Sequence, residues 1–405
     1  MTNKQAAIDI IRTLRDHGHQ AFLAGGCVRD MLIGRAAKDY DVATSARPDE
    51  IVKLFRRTLR IGVQFGVVMV MLDSQQVEVA TFRTESGYSD GRHPTSVSFS
   101  DAEHDAGRRD FTINGMFLDP IDDRVYDYVC GRADLDAKVI RTIGAADERF
   151  GEDYLRMLRG VRFGTQLGFD IVPDTWNAIC RNASKIAGIS SERIATEIEA
   201  IVTDPNRVAG FKMLVDSGLF AAIFPEYTSD NADYAIQVLV AVPEKIDFPL
   251  AIACVFAGIE PAFASGQLEF LKLSNAHLKH INFLLEHIGV LLEADMSLAK
   301  LKQILAAPYF GDLYDFQRAI QTARNLPTES LSKILCRCEQ LKGVDLTPKP
   351  LLDGHRLIEL GVAPGPTVGL VSREMYVAQL NEHLKDTSSA EEWVRQWLAE
   401  HGDIG

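Results

Sequence analysis

The chain has 405 residues, 46% hydrophobic and 24% charged, and its 43 Lys and Arg against 56 Asp and Glu give a net charge of −13. This composition excludes collagen-like and wholly disordered chains, and the negative balance excludes a surface coated with positive charge for indiscriminate nucleic-acid binding, so a polyanion must meet a local basic patch. At roughly 150 residues per domain the length predicts about two to four units.

The first twenty residues, MTNKQAAIDIIRTLRDHGHQ, carry charges inside an apolar pattern and read as a helix rather than a signal peptide. Ala21–Ala24 reads as a strand, Gly25-Gly26 as a turn, and Cys27–Ile33 as a short helix closed by Gly34 in the left-handed conformation. Tyr40–Ser45 is a second strand. Val67–Leu72 with Val77–Phe82, and Met116–Leu118 with Arg124–Val129, read as antiparallel hairpins, making the first third α+β. The segment from Arg83 to Pro94 is rich in Gly and polar residues and reads as a mobile loop. His104-Asp105 reads as a surface turn.

Beyond about residue 145 the spacing turns helical: Leu155, Leu158, Val161 and Leu167 form one stripe, Ile194, Ile198 and Ile201 another. The remainder reads as all-helical, with Tyr227–Asp233 as an internal hinge and a fraying tail from Gly402. The longest uncharged apolar stretch, Phe248–Ile259, falls well short of the ~20 residues that span a bilayer. Six cysteines without disulfide-framework density fit a reducing cytosol.

Asp39-Tyr-Asp41, read at i and i+2 of one strand, directs two carboxylates to one face. Two like charges that close need a cation, and hard oxygen ligands suit Mg²⁺. The Gly25-Gly26 turn before a helix offers backbone N–H groups to a phosphate, with Arg29 and Lys38 nearby in sequence. Glu78 alternates with Val77 and Val79 on its strand and is a candidate third acid. In Arg108–Asn114 the arginines, Arg109 among them, suit a triphosphate, while Asp110 and Asn114 suit ribose hydroxyls. In Glu152–Phe163, Asp153 and Arg156 fall three apart on one expected helix face, with Arg159 one turn further. An exposed salt bridge is the simpler explanation of that last pair taken alone.

Taken together, Leu23–Arg35, Lys38–Thr44, Arg108–Met116, Ile140–Gly144 and Glu152–Phe163 closely resemble the successive motifs of class II tRNA nucleotidyltransferases and bacterial poly(A) polymerases, in order and spacing. Asp353–Gly369 resembles the tail signature of the CCA-adding branch. The resemblance implies an α+β nucleotidyltransferase head of the polymerase-beta-like kind with a small mixed sheet, followed by an all-helical neck, body and tail. The expected bounds are 1–143 for the head, 144–204 for the neck, 205–295 for the body and 296–405 for the tail. It further implies addition of C, C and A to tRNA 3′ ends from CTP and ATP, with Mg²⁺ on Asp39 and Asp41. Asp153 and Arg156 then admit cytosine and adenine, which share an amino donor beside a ring-nitrogen acceptor, and reject uracil and guanine. No membrane and no stable protein partner are expected, and a cytoplasmic location is.

The 83–94 segment resembles the flexible loop that the family needs for switching from C to A addition. Gly115, Gly160 and Gly164 stand where many members carry Ala, so the neck helix is expected to be either looser or more closely packed. Residues 61–68 do not resemble the Arg-rich block of poly(A) polymerases, which makes that activity the weaker reading. An A-adding enzyme working with a CC-adding partner remains open, as does a catalytically silent tRNA-binding protein, though the presence of Asp39, Asp41 and Arg109 argues against the latter. The tail cations Lys272, Lys279, Lys300, Lys302, Lys333, Arg337, Lys342, Lys349 and Arg356 are candidate phosphate contacts, none of them singled out.

Overall fold

The computed structural model describes residues 1–60, 66–88 and 94–401. The chain divides into two compact units, residues 1–232 with 266–273, and residues 233–265 with 274–405.

In the first unit, α1 (Asn3–Asp16) is capped by the Thr2 hydroxyl, which accepts from the Gln5 N–H at 3.2 Å. Its Ala6, Ala7, Ile10, Ile11 and Leu14 form one fully buried stripe. The strands are β1 (Ala21–Ala24), β2 (Asp41–Thr44), β3 (Thr58–Leu59), β4 (Val67–Leu72), β5 (Gln75–Thr81), β6 (Arg83–Tyr88), β7 (Pro94–Phe99), β8 (Phe117–Asp119) and β9 (Arg124–Tyr126). Seven of them make a mixed sheet in the order β3-β4-β5-β2-β1-β8-β9. All its neighbours run antiparallel except β2 and β5, where Val42 faces Val79.

Period-two alternation gives this sheet two faces. Leu23, Val42, Val68, Val70, Val77 and Val79 pack with α1 in one core, while Phe22, Ala24, Ala43, Phe82 and Phe117 pack with Ala102 and Ala106 in another. The helices of this region are α2 (Gly26–Leu32), α3 (Pro48–Leu54), α4 (Ala102–Gly107) and α5 (Gly131–Asp136). Gly34 follows α2 with φ +71°, as expected of a helix-ending glycine.

Helices α6 (Ala146–Glu152), α7 (Leu155–Leu167), α8 (Pro173–Asn182), α9 (Ser191–Val202), α10 (Arg207–Asp216) and α11 (Leu219–Ile223) complete the first unit together with the start of α12 (Ser229–Ala241). The helical part departs from a purely helical pattern at one place: Asp170–Ile171 is a short strand, β11, parallel to β10 (Val139–Ile140) at the end of the head segment. Gly160 and Gly164 resolve in favour of close packing, because a Cβ would lie 3.1 Å from the Phe111 ring at the first and 3.3 Å from the Phe169 carbonyl oxygen at the second. The expected hinge is largely drawn into α12, and Tyr227 is buried with its hydroxyl donating to the Asn231 carbonyl.

The expected loop at 83–94 is also corrected. Arg83–Tyr88 and Pro94–Phe99 pair as an antiparallel sheet, with Thr84 opposite Ser98. Alternating Thr, Ser, Val and Phe in the second half supplies a strand pattern that the Gly and polar content of the first half obscures. The middle of that segment, residues 89–93, lies outside the described residues, as do 61–65 and the expected fraying tail from residue 402.

The second unit is helical, with α13 (Phe248–Val255), α14 (Pro261–Leu268, part of which belongs to the first unit), α15 (Asn275–Glu286), α16 (Leu298–Ala306), α17 (Phe310–Ala323), α18 (Glu329–Gln340), α19 (Gly354–Glu359), α20 (Pro366–Leu380) and α21 (Thr387–His401). Leu357, Val371, Met375, Val394 and Trp397 form the core at its C-terminal end. Among the described residues no helix is long and apolar enough to cross a membrane.

Candidate active site

A cavity of 510 Å³ opens over the sheet of the first unit, within the size range of small-molecule sites. Its floor exists because Ala24, Ala43 and Ala80 present only methyl groups on neighbouring strands. The β1–β2 register sets Ala24 opposite Asp41, so the chain leaving β1 at Gly25 turns beside that carboxylate. The parallel β2–β5 register brings Glu78 next to Asp41 on the same face, and both line the cavity.

Asp39 does not take the expected place. It precedes β2 instead of lying within it, and it is exposed outside the cavity lining, because the strand begins only at Asp41. It remains close enough to act on its neighbour: burial, Glu78 and Asp39 push the Asp41 carboxyl up to about 6 against the pull of Arg109. Two further acids crowding a carboxylate are relieved by a cation, and with no Cys or His among the described lining residues the donor set suits a hard divalent ion.

Gly25 adopts φ +75°, and a Cβ there would stand 3.1 Å from Arg109 Nη1, so glycine is required both by conformation and by contact. Gly26 begins α2 and lines the cavity with Arg29. Arg109 is held from three sides. It donates to Asp105 Oδ2 from Nε at 3.3 Å and Nη2 at 3.0 Å, donates to the Asn114 carbonyl at 3.3 Å, and lies 5.0 Å over the Phe117 ring. Arg108 donates to the other oxygen of Asp105 at 2.9 Å. Burial disfavours the Asp105 charge, but Arg109 and Arg108 outweigh it and hold the carboxyl below its ordinary range. The surface turn expected at His104-Asp105 is therefore a short helix, α4, with Asp105 buried beneath two arginines. The spacing to Arg108 and Arg109 (i, i+3 and i, i+4) was the available signal.

Asp110 and Asn114 line the cavity, yet their polar atoms are engaged within the protein. Asp110 accepts from the Phe111 N–H at 2.8 Å, from Asn114 Nδ2 at 3.3 Å and from Arg159 Nε at 2.8 Å. Burial opposes its charge, but Arg159 overrides burial and lowers the carboxyl to about 2. Asn114 Oδ1 accepts from Arg29 Nη1 at 2.9 Å. These residues brace Arg159 and Arg29 instead of leaving free ligands for a ribose.

The expected Asp153–Arg156 helix face is corrected as well. Asp153 is extended, with φ −154°, between α6 and α7, and its Oδ1 accepts from the Leu155 N–H at 3.0 Å. With its side chain turned onto the backbone N–H two residues on, Asp153 leaves the helical stripe. Its other oxygen pairs with Arg193 Nη2 of α9 at 2.5 Å. Arg156 pairs instead with Glu152, and also donates to the Arg149 carbonyl at 3.0 Å. Asp153 and Arg156 still line one cavity, joined there by Arg193, which the sequence did not single out. Among the described residues seven arginines and four carboxylates line it, a local basic excess in an acidic chain.

Acidic groups brought together by neighbouring strands and facing an arginine-lined cavity define a nucleotidyltransferase head. Residues 21–141 match the family model described as the poly A polymerase head domain, and residues 168–231 match that of the probable RNA and SrmB-binding site of polymerase A. The CCA-adding enzyme of Lactobacillus johnsonii is 33% identical over 95% of both chains, and that of Geobacillus kaustophilus is 45% identical over 54% of each. The solved structure of the Bacillus stearothermophilus CCA-adding enzyme in complex with CTP covers all of both chains with a TM-score of 0.80 at 28% identity. The chain belongs to the family of CCA-adding enzymes, which are tRNA nucleotidyltransferases needing divalent metal.

Proposed function

We propose that this chain adds C, C and A to the 3′ end of tRNA from CTP and ATP, releasing pyrophosphate, with Mg²⁺ held by Asp41 in the cavity and by Asp39 from the chain just ahead of β2, and with Glu78 as a third acid. The observation that carries this reading is the meeting, in one cavity, of the Asp41–Glu78 edge with the arginines and with Asp153 and Arg156. When bound, the metal lowers the pKa of the primer hydroxyl and neutralises charge on the attacking and leaving oxygens.

Gly25, Gly26, Arg29 and Arg109 hold the triphosphate, with Asp105 fixing Arg109 in place. Asp110 and Asn114 act through their partners, keeping Arg159 and Arg29 aimed at the cavity. Asp153 accepts the exocyclic amino group of cytosine or adenine while Arg156 donates to the ring nitrogen; uracil and guanine offer the reverse pattern and set acceptor against acceptor and donor against donor. Head 1–143, base-selecting neck 144–204, body 205–295 and tRNA-binding tail 296–405 are the working parts of this reading, and the cytoplasm, where the substrate is found, is its location.

The test is incubation of the full chain and Mg²⁺ with tRNA lacking CCA and tRNA ending in CC, each NTP supplied separately. Incorporation of CMP on the first and AMP on the second is expected. Extension of only the CC-ended tRNA identifies an A-adding enzyme, and tRNA binding without incorporation identifies a silent one. Asp41→Asn should abolish incorporation without lowering the melting temperature, since it relieves crowded negative charge.

A further inference from the structure

The helical second unit contains a polar cluster with no part in the site described above. Asp247 caps α13, its Oδ1 accepting from the Leu250 N–H at 3.0 Å, and this leaves Oδ2 directed at His280 Nδ1, 3.8 Å away. His280 lies in the middle of α15 and Asp312 in the first turn of α17. The imidazole is stacked on Tyr309, with ring centroids 4.0 Å apart and planes 14° from parallel, which fixes its orientation.

His280 is 7% exposed, and its Nε2 lies 3.1 Å from Asp312 Oδ2 yet out of line for a hydrogen bond, so this buried atom has no hydrogen-bond partner. Such an atom normally costs free energy and calls for an explanation. Among the described residues neither Asp247 nor Asp312 pairs with Lys or Arg; the nearby Arg318 pairs with Asp315 at 3.0 Å. Two carboxylates and one imidazole thus converge without a neutralising side chain.

We propose that Asp247, His280 and Asp312 form a divalent transition-metal site, of the Zn²⁺ class, that clips α13, α15 and α17 together. One donor atom from each residue lies within 4.8 Å of the other two. Metal–ligand bonds of about 2.0–2.2 Å set tetrahedral donors roughly 3.4 Å apart, so a small rotamer adjustment closes the set. An imidazole with two carboxylates favours zinc over the harder Mg²⁺, and over Mn²⁺ by intrinsic affinity. The two aspartates stand at the rim, 52% and 35% exposed, which gives an ion a path in and water a place to complete its coordination.

The experiment is equilibrium dialysis of the metal-stripped full chain against Zn²⁺, with metal analysis, on the wild type, His280→Gln and Asp247→Asn. Asn retains the helix cap and removes only the charge. His280→Gln should bind one zinc fewer per chain, Asp247→Asn should bind that zinc at least tenfold more weakly, and zinc should raise the melting temperature of the wild type alone. Mg²⁺ should not substitute. Both variants taking up zinc with wild-type stoichiometry and affinity would overturn the site and leave His280 a plain neighbour of Asp312. Should His280→Gln fail to fold, Asp247→Asn decides by itself.

Discussion

Asp110 and Asp41 line the same cavity and are shifted in opposite directions. Asp110 is held at about 2 although burial works against its charge. A carboxyl depressed on folding contributes stability above its unfolded value, near 4, and loses that contribution as pH falls toward 2. Asp110→Asn should therefore cost about 2 kcal/mol at neutral pH, the worth of nearly two pKa units. Denaturant titrations should show the gap to wild type closing between pH 4 and 2. Gly25→Ala should destabilise by about 1–2 kcal/mol through the left-handed backbone. By displacing Arg109 it should also raise the KM for CTP and ATP, which steady-state kinetics would show. The Gly-Gly turn, Asp41 and Glu78 were legible because strand alternation and turn chemistry are local. Asp105 and Arg193 are not legible in this way, since one reads as a surface turn and the other owes its place to a partner 40 residues away.

At the scale of elements, the region from residue 146 to 167 shows where periodicity misleads. Glu152–Phe163 reads as one continuous amphipathic helix, yet the backbone breaks at Asp153 and restarts at Leu155. The break is stabilised by the bond from the Leu155 N–H to the Asp153 side chain and by the pair of Asp153 with Arg193, neither of which alters the hydrophobic spacing. Removing Arg193 frees that carboxylate from a charge-assisted bond of about 1.5–3 kcal/mol. Arg193→Ala should thus raise the KM for both nucleotides roughly tenfold or more, and Arg193→Lys should restore only part of it. Misincorporation assays with UTP and GTP should show weakened discrimination, because the acceptor is no longer held in one place. The 83–94 segment misleads the other way: its Gly and polar content hides the strand Arg83–Tyr88, whose partner Pro94–Phe99 lies mostly beyond the segment.

For the molecule as a whole, the seven arginines among the described lining residues concentrate positive charge locally in a chain whose balance is −13. Of the helical-region cations considered for tRNA, Lys272, Lys300, Lys302, Lys342 and Arg356 already pair with carboxylates. Apart from that of Lys302, whose side chain is buried, these are exposed pairs worth about 0–1 kcal/mol, so exchanging one for an RNA phosphate costs little. The fold class and the sheet order are different kinds of knowledge: alternation announced the strands, but nothing local announced that β2 would choose β5.

That choice governs how the enzyme comes to life. The sheet's one parallel pair joins strands separated by α3, β3 and β4, so Asp41 and Glu78 become neighbours only after a long excursion of chain has closed, an entropically slow event beside hairpin zipping. Recovery of nucleotide addition after dilution from denaturant should accordingly trail recovery of helical circular dichroism, which is largely a report on the tail-ward helices. A newly made chain would acquire its shape before its chemistry, and so would extend no tRNA until the head was whole.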